Sequence, residues 1–296
     1  MLMPAIEYRG VVYAAVQDIL LENERNLNVS FLSQSLKGIW NKMESKNVLD
    51  GKVAIVTGST YGIGLAIARR FAQDGAHVVL SSRKQENVDK AVKQLKDEGL
   101  SVAGIVCHVG VGEHREKLIT KALELHGKID ILICNAAVNP FVGPLLDTTE
   151  EMWEKVFRVN VISTFLMVKH AVPHMQKQGG GSVVICSSFV GYIPLPYIGP
   201  YAISKTTLLG LTNILAQSLR PMNIRVNGLA LGLINTRFSD VMRKTKELES
   251  ILIPLGIQRS GEPEECAGVA SFLCSKDASY INGENIAVTG CMLGRL

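Results

Sequence analysis

From Lys52 onward the chain alternates between two kinds of pattern. Short runs that are apolar and rich in β-branched residues lie near 53–57, 77–82, 102–107, 129–134, 182–187, 224–229 and 284–288. Between them, near 63–74, 84–98, 112–127, 150–177, 202–219 and 263–275, apolar residues recur with helical spacing. A strand that is apolar at every position is buried on both faces, as in a parallel sheet covered by helices on each side. The pattern therefore predicts an α/β fold: one domain over 51–296, a doubly wound parallel sheet of about seven strands flanked by helices. Ligands of such sheets bind beyond the carboxyl ends of the strands, where the strand order reverses.

Residues 1–50 stand outside the alternation. They carry five basic residues (Arg9, Arg25, Lys37, Lys42 and Lys46) against six acidic ones, unlike the arginine-rich, acid-poor transit peptides of mitochondria. Phe31 to Met43 has an amphipathic pattern, but the segment as a whole reads as a poorly ordered or targeting extension. The chain ends in Gly294-Arg295-Leu296, which approaches the Ser-Lys-Leu peroxisomal address without its small polar first residue.

Composition narrows the class further. A 296-residue chain with 47% hydrophobic and 20% charged residues can bury one large core. The net charge of +4 comes from scattered residues and points to no nucleic-acid partner. No apolar run reaches the length of a membrane span. The six cysteines show no paired spacing, and Cys107, Cys134 and Cys186 fall on expected strands, so they read as reduced core residues. His170 and His174 share a helix face but have no third ligand in view, so no metal site is expected.

Two constellations carry chemistry. After the first apolar run comes Thr57-Gly58-Ser59-Thr60-Tyr61-Gly62-Ile63-Gly64, and then a helical pattern from Leu65. Glycines between a strand and a helix permit a tight turn and close approach of backbone N–H groups to a phosphate. This is the Rossmann-type phosphate turn, spaced here as G-x-x-x-G-x-G. The second run ends in Ser81-Ser82 and is followed by Arg83 and Lys84, with no carboxylate where an NAD site would place one. Hydroxyls and a guanidinium suit a ribose 2′-phosphate, so NADP(H) is expected over NAD(H), with Arg83 as the main determinant; the competing reading makes Arg83 and Lys84 the start of a solvated helix. The second constellation is Ser188, Tyr201 and Lys205. Tyr201 and Lys205 are four residues apart, on one helix face about 5–6 Å from each other. A fixed ammonium there favours the phenolate, and the Ser188 hydroxyl can hold a carbonyl oxygen beside the phenol. On its own, Tyr-x-x-x-Lys is also what ordinary helix surfaces contain.

With these motifs in their order, the chain resembles the short-chain dehydrogenase/reductase family from about Gly51 to the C-terminus. Asn135-Ala136-Ala137 stands for the family's Asn-Asn-Ala-Gly, Asn160 for its helix asparagine, and Ser188, thirteen residues before Tyr201, for its serine. Ser-Ser-Arg-Lys-Gln, Cys-His-Val-Gly and Asn-Gly-Glu-Asn-Ile-Ala-Val are most similar to the NADPH-dependent retinol dehydrogenase/carbonyl reductase subgroup. The resemblance implies catalytic roles for Ser188, Tyr201, Lys205 and Asn160, the last holding a water that relays protons to Lys205. It implies cofactor contacts from Thr57, Gly58, Ser59, Gly62, Ile63, Gly64, Ser82, Arg83, Lys84, Asn135, Tyr201, Lys205, Ile234 and Thr236. It also implies a small carbonyl or alcohol substrate (ketones, dicarbonyls or retinal), a homotetramer, and a mitochondrial location, with peroxisomal or cytoplasmic and nuclear ones as alternatives. Leu231, where the family has proline, is expected to loosen the turn facing the nicotinamide, and Tyr61 to crowd the pyrophosphate. Those two departures keep a non-catalytic NADP-binding regulator in view; an NAD-linked hydroxysteroid or alcohol dehydrogenase is the other rival.

Overall fold

Val53, Ala54, Ile55 and Val56 form the first strand, β1 (Val53–Val56), and all four are fully buried. Alternate side chains serve opposite faces: Ala54 and Val56 join one core cluster, Val53 and Ile55 the other. The computed structural model describes residues 47–240 and 259–290. The expectations for residues 1–46 and for the terminal tripeptide lie outside them.

Strands β1, β2 (His77–Ser82), β3 (Val102–Val106), β4 (Ile131–Cys134), β5 (Gly181–Ser188), β6 (Ile224–Leu231) and β7 (Asn285–Val288) make one seven-stranded sheet in the order β3-β2-β1-β4-β5-β6-β7. Every pairing is parallel. On one face, α1 (Gly62–Gln73), α2 (Gln85–Asp97) and α7 (Pro263–Cys274) bury Ile67, Phe71, Leu95 and Leu273. On the other, α3 (Gly112–His126), α5 (Ser163–Lys177) and α6 (Gly199–Leu219) bury Leu118, Met167 and Leu208. The expected doubly wound sheet is therefore present. Strands β1 and β4 are neighbours, with β2 and β3 on one side and the later strands on the other, so the strand order reverses between them and the ligand site belongs there.

The single helix expected over 150–177 is broken. Helix α4 (Glu150–Phe157), capped by the Thr149 hydroxyl on the Met152 N–H, gives way to one wide π-helical turn at Arg158–Ile162 before α5 begins. Asn160 supplies the reason. It is 1% exposed, and its amide bridges to the Val138 backbone, accepting from the N–H at 2.8 Å and donating to the carbonyl at 3.0 Å. Single π turns of this kind concentrate at functional sites. Helix α6 starts three residues before the expected 202, with Pro200 in its first turn, where a missing N–H costs nothing. Among the described residues no helix is long and apolar enough to cross a membrane, and the five described cysteines are unpaired and buried.

Candidate active site

A cleft of about 930 Å³ opens above the carboxyl ends of β1, β4, β5 and β6. Gly58, Gly62 and Gly64 form one wall, Asn135 and Ala136 the floor, and Ser188, Tyr201 and Lys205 the far side.

The glycine turn is built for close packing. Gly58 has φ +61° and Gly62 φ +54°, a left-handed backbone that side chains rarely adopt. A Cβ on Gly58 would lie 2.9 Å from Ala136 Cα, and one on Gly64 would collide with the Gly58 carbonyl and sit 2.5 Å from Asn135 Nδ2. The turn keeps its shape because Asn135 donates to the carbonyls of Thr57 (3.0 Å) and Gly58 (2.9 Å). A bare-backbone cradle at the start of α1, facing a cleft with room for a large ligand, fits a dinucleotide.

Three of the residues expected to touch the cofactor do not line the cleft. The Thr57 hydroxyl donates to the Ile133 carbonyl and accepts from the N–H groups of Asn135 and Ala136, which fastens β1 to β4. The fully buried Ser59 hydroxyl donates to the Val56 carbonyl at 2.6 Å and accepts from the Ser81 N–H at 2.9 Å. Both hydroxyls are consumed inside the fold. Lys84 is exposed at the entry to α2 and does not line the cleft. Ser82 and Arg83 do line it, and the Arg83 guanidinium has no ion pair among the described residues. Ile234 and Thr236 line the opposite lip, where Thr236 Cγ2 is 3.0 Å from the place a Cβ on Gly62 would occupy.

Ser188, Tyr201 and Lys205 are 7%, 8% and 3% exposed. Tyr201 and Lys205 share one face of α6, with the ammonium 5.4 Å from the centre of the phenol ring. Lys205 Nζ donates to the Cys186 carbonyl at 2.7 Å. Ser188 Oγ donates to the Leu231 carbonyl at 3.2 Å and accepts from the Val190 N–H at 3.4 Å. Burial pushes the Tyr201 phenol well above its ordinary value, and a hydrogen bond with Ser188 opposes that push. Burial also lowers Lys205, to about 8. This differs from the expectation that Lys205 makes the phenol acidic. In the folded chain desolvation dominates, and the phenol stays protonated at neutral pH.

Asn160 is held within the fold. Its amide is fully committed to Val138 and, at 3.0 Å, to the Ser204 hydroxyl, and its carbonyl accepts from the Thr164 hydroxyl at 2.8 Å. The side chain locks the π turn against α6. Leu231 does not loosen the strand end: β6 stays in register through the Ser188↔Leu231 and Leu231↔Val288 pairs, and the Gly232 N–H donates to the Val288 carbonyl at 2.9 Å. Tyr61 turns to the rim, where its hydroxyl donates to Asn87 Oδ1 at 3.0 Å. Asn87, Arg237, Phe238 and the Cys186 carbonyl are site features that no local motif marks, although each lies within three residues of an expected site residue.

A family model described as enoyl-(acyl carrier protein) reductase matches residues 58–292. Dehydrogenase/reductase SDR family member 4 of Mus musculus is 60% identical over 252 residues, covering 85% of this chain and 90% of the relative. The chain belongs to the short-chain dehydrogenase/reductase family. Within the family, Dehydrogenase/reductase SDR family member 2, mitochondrial, of Homo sapiens is 54% identical, covering 84% of this chain and 89% of that one. A solved short-chain dehydrogenase/reductase structure, a 7α-hydroxysteroid dehydrogenase complexed with NADH and 7-oxo glycochenodeoxycholic acid, superposes with a TM-score of 0.78 at 32% identity, covering 86% of this chain and 99% of that one. The chain is thus an oxidoreductase of this family.

Proposed function

We propose that the protein is an NADPH-dependent carbonyl reductase acting on ketones, dicarbonyls or retinal, with alcohol oxidation as the reverse reaction. The observation that carries this reading is a buried phenol that shares a cleft with Ser188, Lys205, a glycine cradle and an Arg83 that has no ion pair among the described residues. When bound, NADPH supplies the hydride. The Ser188 hydroxyl and the Tyr201 phenol hold the substrate oxygen as negative charge builds on it. Tyr201 Oη gives that oxygen its proton, and burial keeps the phenol in the protonated, donating form. Lys205, at about 8, is mostly an ammonium at neutral pH and stabilises the phenolate left behind.

Arg83, with Ser82, favours NADPH over NADH, because a guanidinium pairs with a 2′-phosphate that a carboxylate would repel. Leu195, Ile198, Leu233 and Phe238 make the wall near Tyr201 apolar, which suits bulky or aromatic carbonyl compounds. On the same footing we propose a homotetramer, in keeping with the family resemblance, and a mitochondrial location, in keeping with the name of the human member 2 relative.

The test is cofactor absorbance loss with dicarbonyls, aryl ketones and retinal, run separately with NADPH and NADH. Faster turnover with NADPH supports the reading, and Tyr201→Phe is expected to lose about 10²- to 10⁴-fold in kcat while still binding NADPH. Faster turnover with NADH would favour an NAD-linked dehydrogenase. No turnover with either cofactor, or an active Tyr201→Phe variant, overturns the mechanism.

A further inference from the structure

The rim of the cleft holds a second guanidinium that no motif of the chain announces. Arg237 follows Thr236 on the loop after β6, and its Cζ lies 4.4 Å from the centre of the Tyr61 ring. Tyr61 is the residue before Gly62, at the head of α1, and is 37% exposed. Its hydroxyl is tied to Asn87, in the first turn of α2, the helix that Arg83 leads into. Tyr61, Arg83, Asn87 and Arg237 all line the same cleft. Neither guanidinium has an ion pair among the described residues.

An arginine lying over an aromatic face spends its flat side on the ring and keeps its N–H edge for hydrogen bonds. Tyr61, held in turn by Asn87, is the platform that aims that edge. Two guanidiniums, neither in an ion pair among the described residues, beside one tyrosine–asparagine bridge match a phosphate dianion, whose oxygens accept paired N–H donors. The pyrophosphate has its own cradle in the glycine turn and the head of α1. The Arg83 side of the cleft is the side expected to meet the adenosine.

We propose that Arg237, stacked on Tyr61, joins Arg83 in binding the adenosine 2′-phosphate of NADP(H). This rests on the NADPH reading above and adds a selectivity residue contributed by the loop after β6. Tyr61 is then the support of a phosphate site, the opposite of an obstruction.

The test is calorimetric titration of the wild type, Arg237→Ala, Tyr61→Ala and Tyr61→Phe with NADPH, NADH, 2′,5′-ADP and 5′-ADP. Arg237→Ala is expected to weaken NADPH and 2′,5′-ADP by about tenfold or more while changing NADH and 5′-ADP less than about twofold. Tyr61→Ala should show the same selective loss, whereas Tyr61→Phe, which keeps the ring, should stay near the wild type. Equal weakening of NADPH and NADH would assign Arg237 to the pyrophosphate and overturn the proposal, as would unchanged NADPH binding in a wild-type background that prefers NADPH. A wild type that prefers NADH would overturn the cofactor reading itself, and this inference with it.

Discussion

Replacing Lys205 with methionine is expected to stabilise the fold while destroying the activity, and the stabilisation should depend on pH. Lys205 is 3% exposed, and its ammonium has one hydrogen-bond acceptor, the Cys186 carbonyl. Burial lowers its pKa from 10.5 to about 8. That shift corresponds to about 3 kcal/mol by which folding disfavours the charged form. The sign follows from proton counts. Between about 8 and 10.5 the unfolded chain binds the proton and the folded chain does not, so the wild type gains stability as pH rises through that window. Below it both states are protonated and the full penalty remains.

Methionine fills a similar volume without charge, and its removal of the ammonium leaves the Cys186 carbonyl short of one donor, a loss of about 1 kcal/mol. Lys205→Met should therefore be more stable than the wild type by about 2 kcal/mol at pH 7. Toward pH 10.5 the wild type should recover about 3 kcal/mol relative to the variant. Urea unfolding of both proteins at pH 7 and pH 10 gives the difference directly, since groups common to both cancel. Two curves that shift in parallel, with a gap independent of pH, would refute the claim that Lys205 is held at a lowered pKa by burial.

The remaining expectations concern the cradle and the substrate wall. Gly64→Ala places a methyl 2.5 Å from Asn135 Nδ2 and 2.8 Å from Ser59 Cα; thermal unfolding should show a loss of about 1–3 kcal/mol, and a fluorescence titration should show NADPH affinity falling with it. Phe238, 43% exposed, lies 5.6 Å from the Tyr201 ring. Phe238→Ala should raise KM for aryl ketones by about twofold to tenfold and leave small dicarbonyls nearly unchanged, as steady-state kinetics would show; equal effects on both would remove Phe238 from the substrate wall.

Much of this was written in local pattern. Parallel strands covered by helices on both faces demand mostly apolar runs, so all seven strands could be read from 53–57 to 284–288. Glycines that need positive φ or a missing Cβ, Gly58, Gly62 and Gly64, mark their turn by themselves. The four-residue step from Tyr201 to Lys205 is helix geometry. Long-range packing decided the rest. Whether a hydroxyl faces a ligand or the core depends on the strand beside it: the Ser59 hydroxyl accepts from the Ser81 N–H, and the Thr57 hydroxyl donates to the Ile133 carbonyl. The break at Asn160 arises because its buried amide must find partners, and Val138 supplies them from another element. The protonation of Tyr201 and Lys205 follows from how deeply both lie, which no spacing reveals. The pairing of Arg237 with Tyr61 joins residues that only the folded backbone brings together. Periodicity and backbone chemistry are local and legible in one dimension; burial, partner choice and charge are set by neighbours that only folding supplies.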